Sequence, residues 1–320
     1  MGKLKPAYSV GIELECVFAV SRVSGPSGDS LFARSFSQFA ELVRDGLKAG
    51  SEQGVSGFNV EIQPTPTSLL EREDAKIFVR ENFVVKPDYT IFVGPEDIFP
   101  RPFQDSGVEL TTPALTEESW SRILPHLMSH LKESKRVAFN DYTGLHFHIG
   151  KMEEGQYTKY TTKELKQVAK AVLLFENQMS TLHPGRDPRG ENGLRHYKFC
   201  GDSDILRNLG MKQKIEMITN LPDGGDDVGR LIRCINPGWF ESERNYVFNF
   251  ESFLKYGTIE SRQPGGTLDH ERILDLITRT TSLINRAIKT SDGQFLEWAT
   301  NGIHDPGVYK EFGVPAPEKP

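Results

Sequence analysis

The segment Gly144-Leu-His-Phe-His-Ile149 alternates apolar and imidazole side chains. Leu145, Phe147 and Ile149 share one face and His146 with His148 the other, the period-two pattern of a strand with one face in a core. Gly11-Ile-Glu-Leu-Glu15 repeats the pattern. There Val10, Ile12, Leu14 and Cys16 lie opposite Gly11, Glu13, Glu15 and Val17. Val108-Glu-Leu110 contributes Glu109, and Gly257-Thr-Ile-Glu-Ser-Arg262 places Glu260 and Arg262 on one face. Taken singly, a Glu-x-Glu strand is commonly a solvated face, and a Glu-x-Arg pair is a surface ion pair worth little. Four such segments, each beside a glycine where backbone or ligand can approach closely, point to one polar site built on strands.

If those faces converge, their charge must be answered. Two carboxylates about 4 Å apart repel by roughly 4 kcal/mol at an effective dielectric near 20. Such a cluster raises the pKa values of its members or recruits cations. Carboxylates with an imidazole suit Mg²⁺ or Mn²⁺, whereas zinc prefers more nitrogen or sulfur and no HExxH helix is present. An arginine beside them suits an anionic oxygen such as a transferring phosphoryl group.

Outward from these strands, helical periodicity covers Phe36–Leu47, Trp120–Leu131 behind Thr116 with a kink expected at Pro125, and Ile273–Ile284. Thr161 and Glu164 form a capping-box pattern ahead of a helix through Met179. Further strands are expected at Tyr8–Val20, Gly57–Gln63, Phe83–Val93, Val108–Thr111, Tyr246–Phe250 and Thr258–Arg262. Ser24–Ser30 and His183–Asp204 read as loops, and the Pro-rich tail from about 305 is expected to wrap or fray. Irregularly interleaved strands and helices, without βαβ alternation, give an α+β class with a largely antiparallel sheet. The 320 residues favour one elaborated domain, 1–320.

A net charge of −6 argues against a protein that chiefly neutralises nucleic-acid phosphates. No apolar run spans a bilayer and no signal-peptide core follows the N-terminal lysines, so neither a membrane nor a secreted setting is expected. Cys16, Cys200 and Cys234 are widely spaced and form no CxxC, which suits a reducing cytoplasm. Neither a GxxxxGK[ST] run nor a convincing GxGxxG is present.

In order and type, Gly11-Ile-Glu-Leu-Glu15, Gly107-Val-Glu-Leu-Thr-Thr-Pro113, Thr143-Gly-Leu-His-Phe-His148 and Gly257-Thr-Ile-Glu-Ser-Arg-Gln263 resemble the amidoligase family. That family belongs to the carboxylate–amine ligase and glutamine synthetase superfamily. The likeness runs from about Val10 to Trp298, with Gly265-Gly-Thr-Leu-Asp269 after the last motif. It implies a curved antiparallel sheet with helices on its outer face, whose concave side holds ATP and Mg²⁺, with Mn²⁺ an alternative. By motif, Glu13, Glu15, Glu109, His146 and Glu260 resemble the metal ligands. His148 resembles the histidine near the nucleotide phosphates, and Arg262 the arginine that steadies the transferred phosphoryl group. Arg186, in a His/Arg-rich stretch, is a candidate phosphate or substrate contact. Ser261 replaces an aromatic residue common in the family, and Lys86-Pro-Asp-Tyr-Thr90 matches its Asp-x-Ser element only loosely.

The reaction implied is ATP-dependent activation of a carboxylic acid as an acyl phosphate, followed by capture with an amine to form an amide. Small-molecule, amino-acid-like acids and amines are the implied partners, and oligomeric state is left open. A metal-dependent hydrolase using the same Glu/His face, and an inactive nucleotide-binding relative, stay open as alternatives. Glu260→Gln is expected to remove phosphoryl transfer and leave the fold intact. Cys16→Ser is expected to affect stability rather than chemistry.

Overall fold

A computed structural model describes residues 8–21, 31–50, 57–63, 82–91, 98–99, 103–183, 198–223, 227–237 and 246–317. Within them the chain is a mixture of helices and a largely antiparallel open sheet, divided into two compact units. One comprises Ser9–His148 and Gly265–Asp275; the other comprises Met1–Tyr8, Ile149–Pro264 and Leu276–Pro320.

The first unit is built around β1 (Tyr8–Ser21). It pairs antiparallel with β4 (Phe103–Thr111) and with the short β5 (Val137–Ala138). β3 (Asn82–Pro87) extends the sheet antiparallel to β4, and β2 (Asn59–Ile62) adds to it in parallel. On the other side of β1 lies β6 (Leu145–Glu153), whose first residues belong to this unit. The Glu15 N–H donates to Gly144 O at 2.9 Å, while Gly11 sits beside His148, so β1 and β6 run antiparallel.

Apolar residues of β1 bury against α1 (Leu31–Ala49) and α2 (Glu117–Glu133). The Phe18 and Phe39 rings lie 5.0 Å apart, and the Trp120 indole N–H donates to Val10 O at 2.8 Å. Thr116 caps α2, which runs unbroken past Pro125. The opposite face of β1 is not wholly polar: Val17 and Ala19 are buried with Ile91, Phe99, Ala138 and Tyr142. Glu13 and Glu15 thus sit next to an apolar plug, which lowers the dielectric around them.

β3 stops at Pro87, short of the expected Phe83–Val93, because the next residue turns the chain. Asp88 Oδ1 accepts from the N–H and hydroxyl of Thr90 at 2.8 and 2.5 Å, an Asx turn. Val93 and the Ser24–Ser30 loop lie outside the described residues.

In the second unit β7 (Gln156–Thr158) folds back on the end of β6, and the strand order continues β6-β9-β8. β8 is Phe248–Asn249 and β9 is Thr258–Ser261. The expected strand Tyr246–Phe250 shrinks to two residues because a side chain takes its backbone groups. Asn236 donates to Phe248 O at 3.0 Å and accepts from the Phe250 N–H at 2.7 Å.

The helices here are α3 (Thr162–Ser180), α4 (Met211–Asn220), α5 (Asp227–Ile235), α6 (Glu251–Tyr256), the larger part of α7 (His270–Lys289), α8 (Asp292–Asn301) and α9 (Pro306–Glu311). The capping box of Thr161 and Glu164 forms as the sequence indicates. The tail wraps rather than frays. Asp305 caps α9 with Pro306 at its first position, and Phe312 packs 4.6 Å from the Phe175 ring.

Candidate active site

In the first unit the strand register sets charged side chains in rows. Lys86 of β3 is opposite Glu109 of β4, and Glu109 is opposite Glu15 of β1. One step along, Val84, Thr111 and Glu13 form the next row. Like charges directly opposed on neighbouring strands destabilise a sheet, so the Glu109–Glu15 pair needs compensation. Lys86 supplies part of it, with Nζ 2.7 Å from Glu109 Oε1, the same oxygen that accepts from Thr111 Oγ1 at 3.0 Å.

β6 supplies the imidazoles. His146 Nδ1 is 3.4 Å from Glu13 Oε2, its Nε2 is 3.8 Å from Glu15 Oε1, and His148 Nε2 is 3.2 Å from Glu13 Oε1. His146 is wholly buried and Glu15 nearly so, while Glu13 and His148 keep a little solvent contact. The pairing of β1 with β6 therefore brings together Glu13, Glu15, His146 and His148, each pair on one strand face as the alternation predicts.

The carboxylates respond to these surroundings in opposite directions. Burial works to raise Glu13, but His148, Lys86 and the contacts from both imidazoles outweigh it and hold Glu13 well below the usual range. Burial pushes Glu109 up to about 7, with Glu13 and Asp88 adding to the rise and Lys86 opposing it. One carboxylate stays ionised while its neighbour readily takes a proton, the divergence that like charges in a shared low-dielectric site produce.

Gly144 is a steric requirement of the cluster. A Cβ there would stand 2.8 Å from Glu15 Oε2 and 2.8 Å from His146 Nε2. At Gly11, by contrast, a Cβ would meet its nearest atoms at an ordinary 3.7 Å. Asp88 spends a carboxylate oxygen on its own turn, which gives it a structural place beside the cluster.

The second unit holds Glu260 and Arg262. Glu260 is 2% exposed on β9, opposite Asn249 of β8. Its Oε2 accepts from Asn249 Nδ2 and from Ser252 Oγ, each at 2.7 Å, and its Oε1 accepts from Arg262 Nη1 at 2.5 Å. Gly257 makes this arrangement possible. It ends α6 at φ 73°, a left-handed conformation that glycine adopts without penalty, and turns the chain directly into β9. Asn249 and Ser252 escaped the sequence reading because they are neutral and lie 8 to 11 residues from Glu260. Lys86 entered the sequence reading only as the first residue of the loosely matching Lys86–Thr90 segment. Arg186 lies outside the described residues.

Oxygen donors dominate the first unit's set, with imidazoles beside them, and at least one carboxylate is firmly ionised. This donor chemistry fits a hard divalent cation such as Mg²⁺ or Mn²⁺. Thiol chemistry fits poorly. All three cysteines are buried and free, and burial raises each thiol pKa, that of Cys234 to about 11. No helix among the described residues is long and apolar enough to cross a membrane.

No curated protein matches the sequence. Among solved structures, the chain is similar to a bifunctional glutathione synthetase from Pasteurella multocida at 12% identity and a TM-score of 0.43. That match covers 98% of this chain and 41% of that one. It is similar also to Plasmodium falciparum glutamine synthetase at 12% identity and a TM-score of 0.33, over 88% of this chain and 52% of that one. The chain thus spans about half the length of these proteins or less. A family model described as "Putative amidoligase enzyme" matches residues 6–283, and the chain belongs to that amidoligase family.

Proposed function

We propose that this protein is an ATP- and magnesium-dependent ligase that activates a carboxylic acid as its acyl phosphate and passes it to an amine. What carries this reading is the Glu13–His146–His148–Glu15 cluster on adjacent strands, in a chain that belongs to the amidoligase family. In this reading residues 1–320 act as one catalytic domain, on a curved sheet with helices outside it, in the cytoplasm. The acid and the amine are small and amino-acid-like.

Bound Mg²⁺ and ATP supply a charge-shielded γ-phosphoryl group. Glu13, Glu15 and His146 would hold the cations, with Glu109 and Glu260 as further ligands, and Mn²⁺ would serve in place of Mg²⁺. By their motifs, His148 and Arg262 would bind the nucleotide phosphates, and Arg186 would be a further phosphate or substrate contact. The planar fork of Arg262 would suit the phosphoryl oxygens, and its Nη1 bond to Glu260 Oε1 helps orient it. No protein nucleophile is required, and the contribution of these residues is electrostatic and positional.

The test is hydroxamate formation from amino-acid-like acids with hydroxylamine as amine, ATP and Mg²⁺, with ADP release followed in parallel. ADP and hydroxamate rising together, and falling together in Arg262→Lys, is the expected result. Product that forms without nucleotide would move the assignment to a metal-dependent hydrolase.

A further inference from the structure

The cluster already contains a cation of its own. Lys86 Nζ lies 2.7 Å from Glu109 Oε1, with the lysine side chain 26% and the glutamate 11% exposed. The register explains the contact, because Lys86 and Glu109 face each other across β3 and β4 while Glu109 and Glu15 face each other across β4 and β1. Along this row an ammonium sits at one end and two carboxylates follow it. With Glu13 in the next row, carboxylates outnumber the ammonium across these two rows.

We infer that Lys86 is a built-in counter-cation that competes with divalent metal for Glu109. Glu109 becomes a metal ligand only when it parts from Lys86, so the ammonium sets the affinity and the number of cations the cluster takes. This deepens the ligase reading and rests on Glu13, Glu15 and His146 as cation ligands. The geometry favours exclusion over sharing. Glu109 Oε1 already accepts from both Lys86 and Thr111, and a divalent ion brought to that oxygen would lie close to a like-charged ammonium.

The experiment measures Mn²⁺ alone, without nucleotide, by the paramagnetic signal of the free ion over the full-length protein. Lys86→Met, or Lys86→Gln should the methionine variant fold poorly, is expected to bind Mn²⁺ about tenfold more tightly than wild type, the scale of a partly sheltered ion pair. Lys86→Arg keeps the charge and is expected to match wild type. A residue that only braces the sheet would give the opposite result, weaker binding on its loss. Wild type that binds Mn²⁺ with a Met or Gln variant equal or weaker overturns the role of Lys86 and leaves the ligand set standing. Wild type and variants that all fail to bind Mn²⁺ overturn both.

Discussion

The carboxylates of the two units are held in contrasting ways. Glu260 is closed off, with both oxygens taken at 2.5 to 2.7 Å by an arginine, an asparagine and a serine. Glu13 and Glu15 instead meet imidazoles at 3.2 to 3.8 Å, and Glu15 faces a like-charged Glu109 across the strands. One arrangement is complete and rigid. The other sets like-charged carboxylates opposite one another across the strands, with imidazoles beside them. The same motif type, charged residues two apart on a strand, thus yields a closely hydrogen-bonded carboxylate in one unit and a carboxylate–imidazole cluster in the other.

The limiting case is Glu176 of α3, a buried carboxylate whose Oε1 accepts from the Gly201 N–H at 3.0 Å. Burial, with Asp202 adding to it, pushes Glu176 up to about 8 against opposing backbone bonds and Lys214. At pH 5 to 7 the folded state therefore keeps a proton that the unfolded state has lost. Glu176 therefore contributes stability that is present at low pH and is lost as pH rises from about 4.5 to about 8. Glu176→Gln should remove this slope in denaturant titrations across that range; an unchanged slope would mean Glu176 is ionised in the fold.

Glu260→Gln is the next largest effect. The amide would turn an N–H₂ toward donors that now meet an oxygen, and it would remove the carboxylate charge beside Arg262 Nη1. A loss of about 3 kcal/mol in unfolding free energy is expected. The sequence-based expectation that the variant keeps its fold then takes the form of a folded protein of lower stability and lower activity, which denaturant titration and ADP release check together. Gly144→Ala should cost about 1–3 kcal/mol by pressing on Glu15 and His146. It should weaken Mn²⁺ binding far more than Gly11→Ala does. Glu15→Gln is the smallest: without metal it should be neutral or stabilising by up to about 1 kcal/mol, since it relieves the pair with Glu109. A clear destabilisation by Glu15→Gln would break the contrast between the two units.

Much of this was legible in the sequence, and physical reasons separate what was from what was not. Alternation placed Glu13 with Glu15 and His146 with His148, because a strand has one period and a buried face enforces it. The capping box at Thr161 was readable for the same kind of local reason. Register is a long-range property, so the row of Lys86, Glu109 and Glu15 was invisible until β3, β4 and β1 were aligned. The partners of Glu260 come from a turn of helix between two strands, where neutral side chains carry no periodic signal. The short helices α4 and α5, of 10 and 9 residues, are too brief to show sustained helical periodicity and were not singled out in the sequence.

The central claim is that the first unit's cluster takes a cation and, with it, a nucleotide. Thermal unfolding of wild type and Glu13→Gln with ATP, with Mg²⁺ and with both tests it most directly. Ligand at 100 times its dissociation constant adds about 2.7 kcal/mol, which for a chain of this size raises the midpoint by roughly 5 °C. The account predicts that rise for ATP and Mg²⁺ together in wild type and its loss in Glu13→Gln. An equal rise in both proteins, or none in wild type, would contradict it.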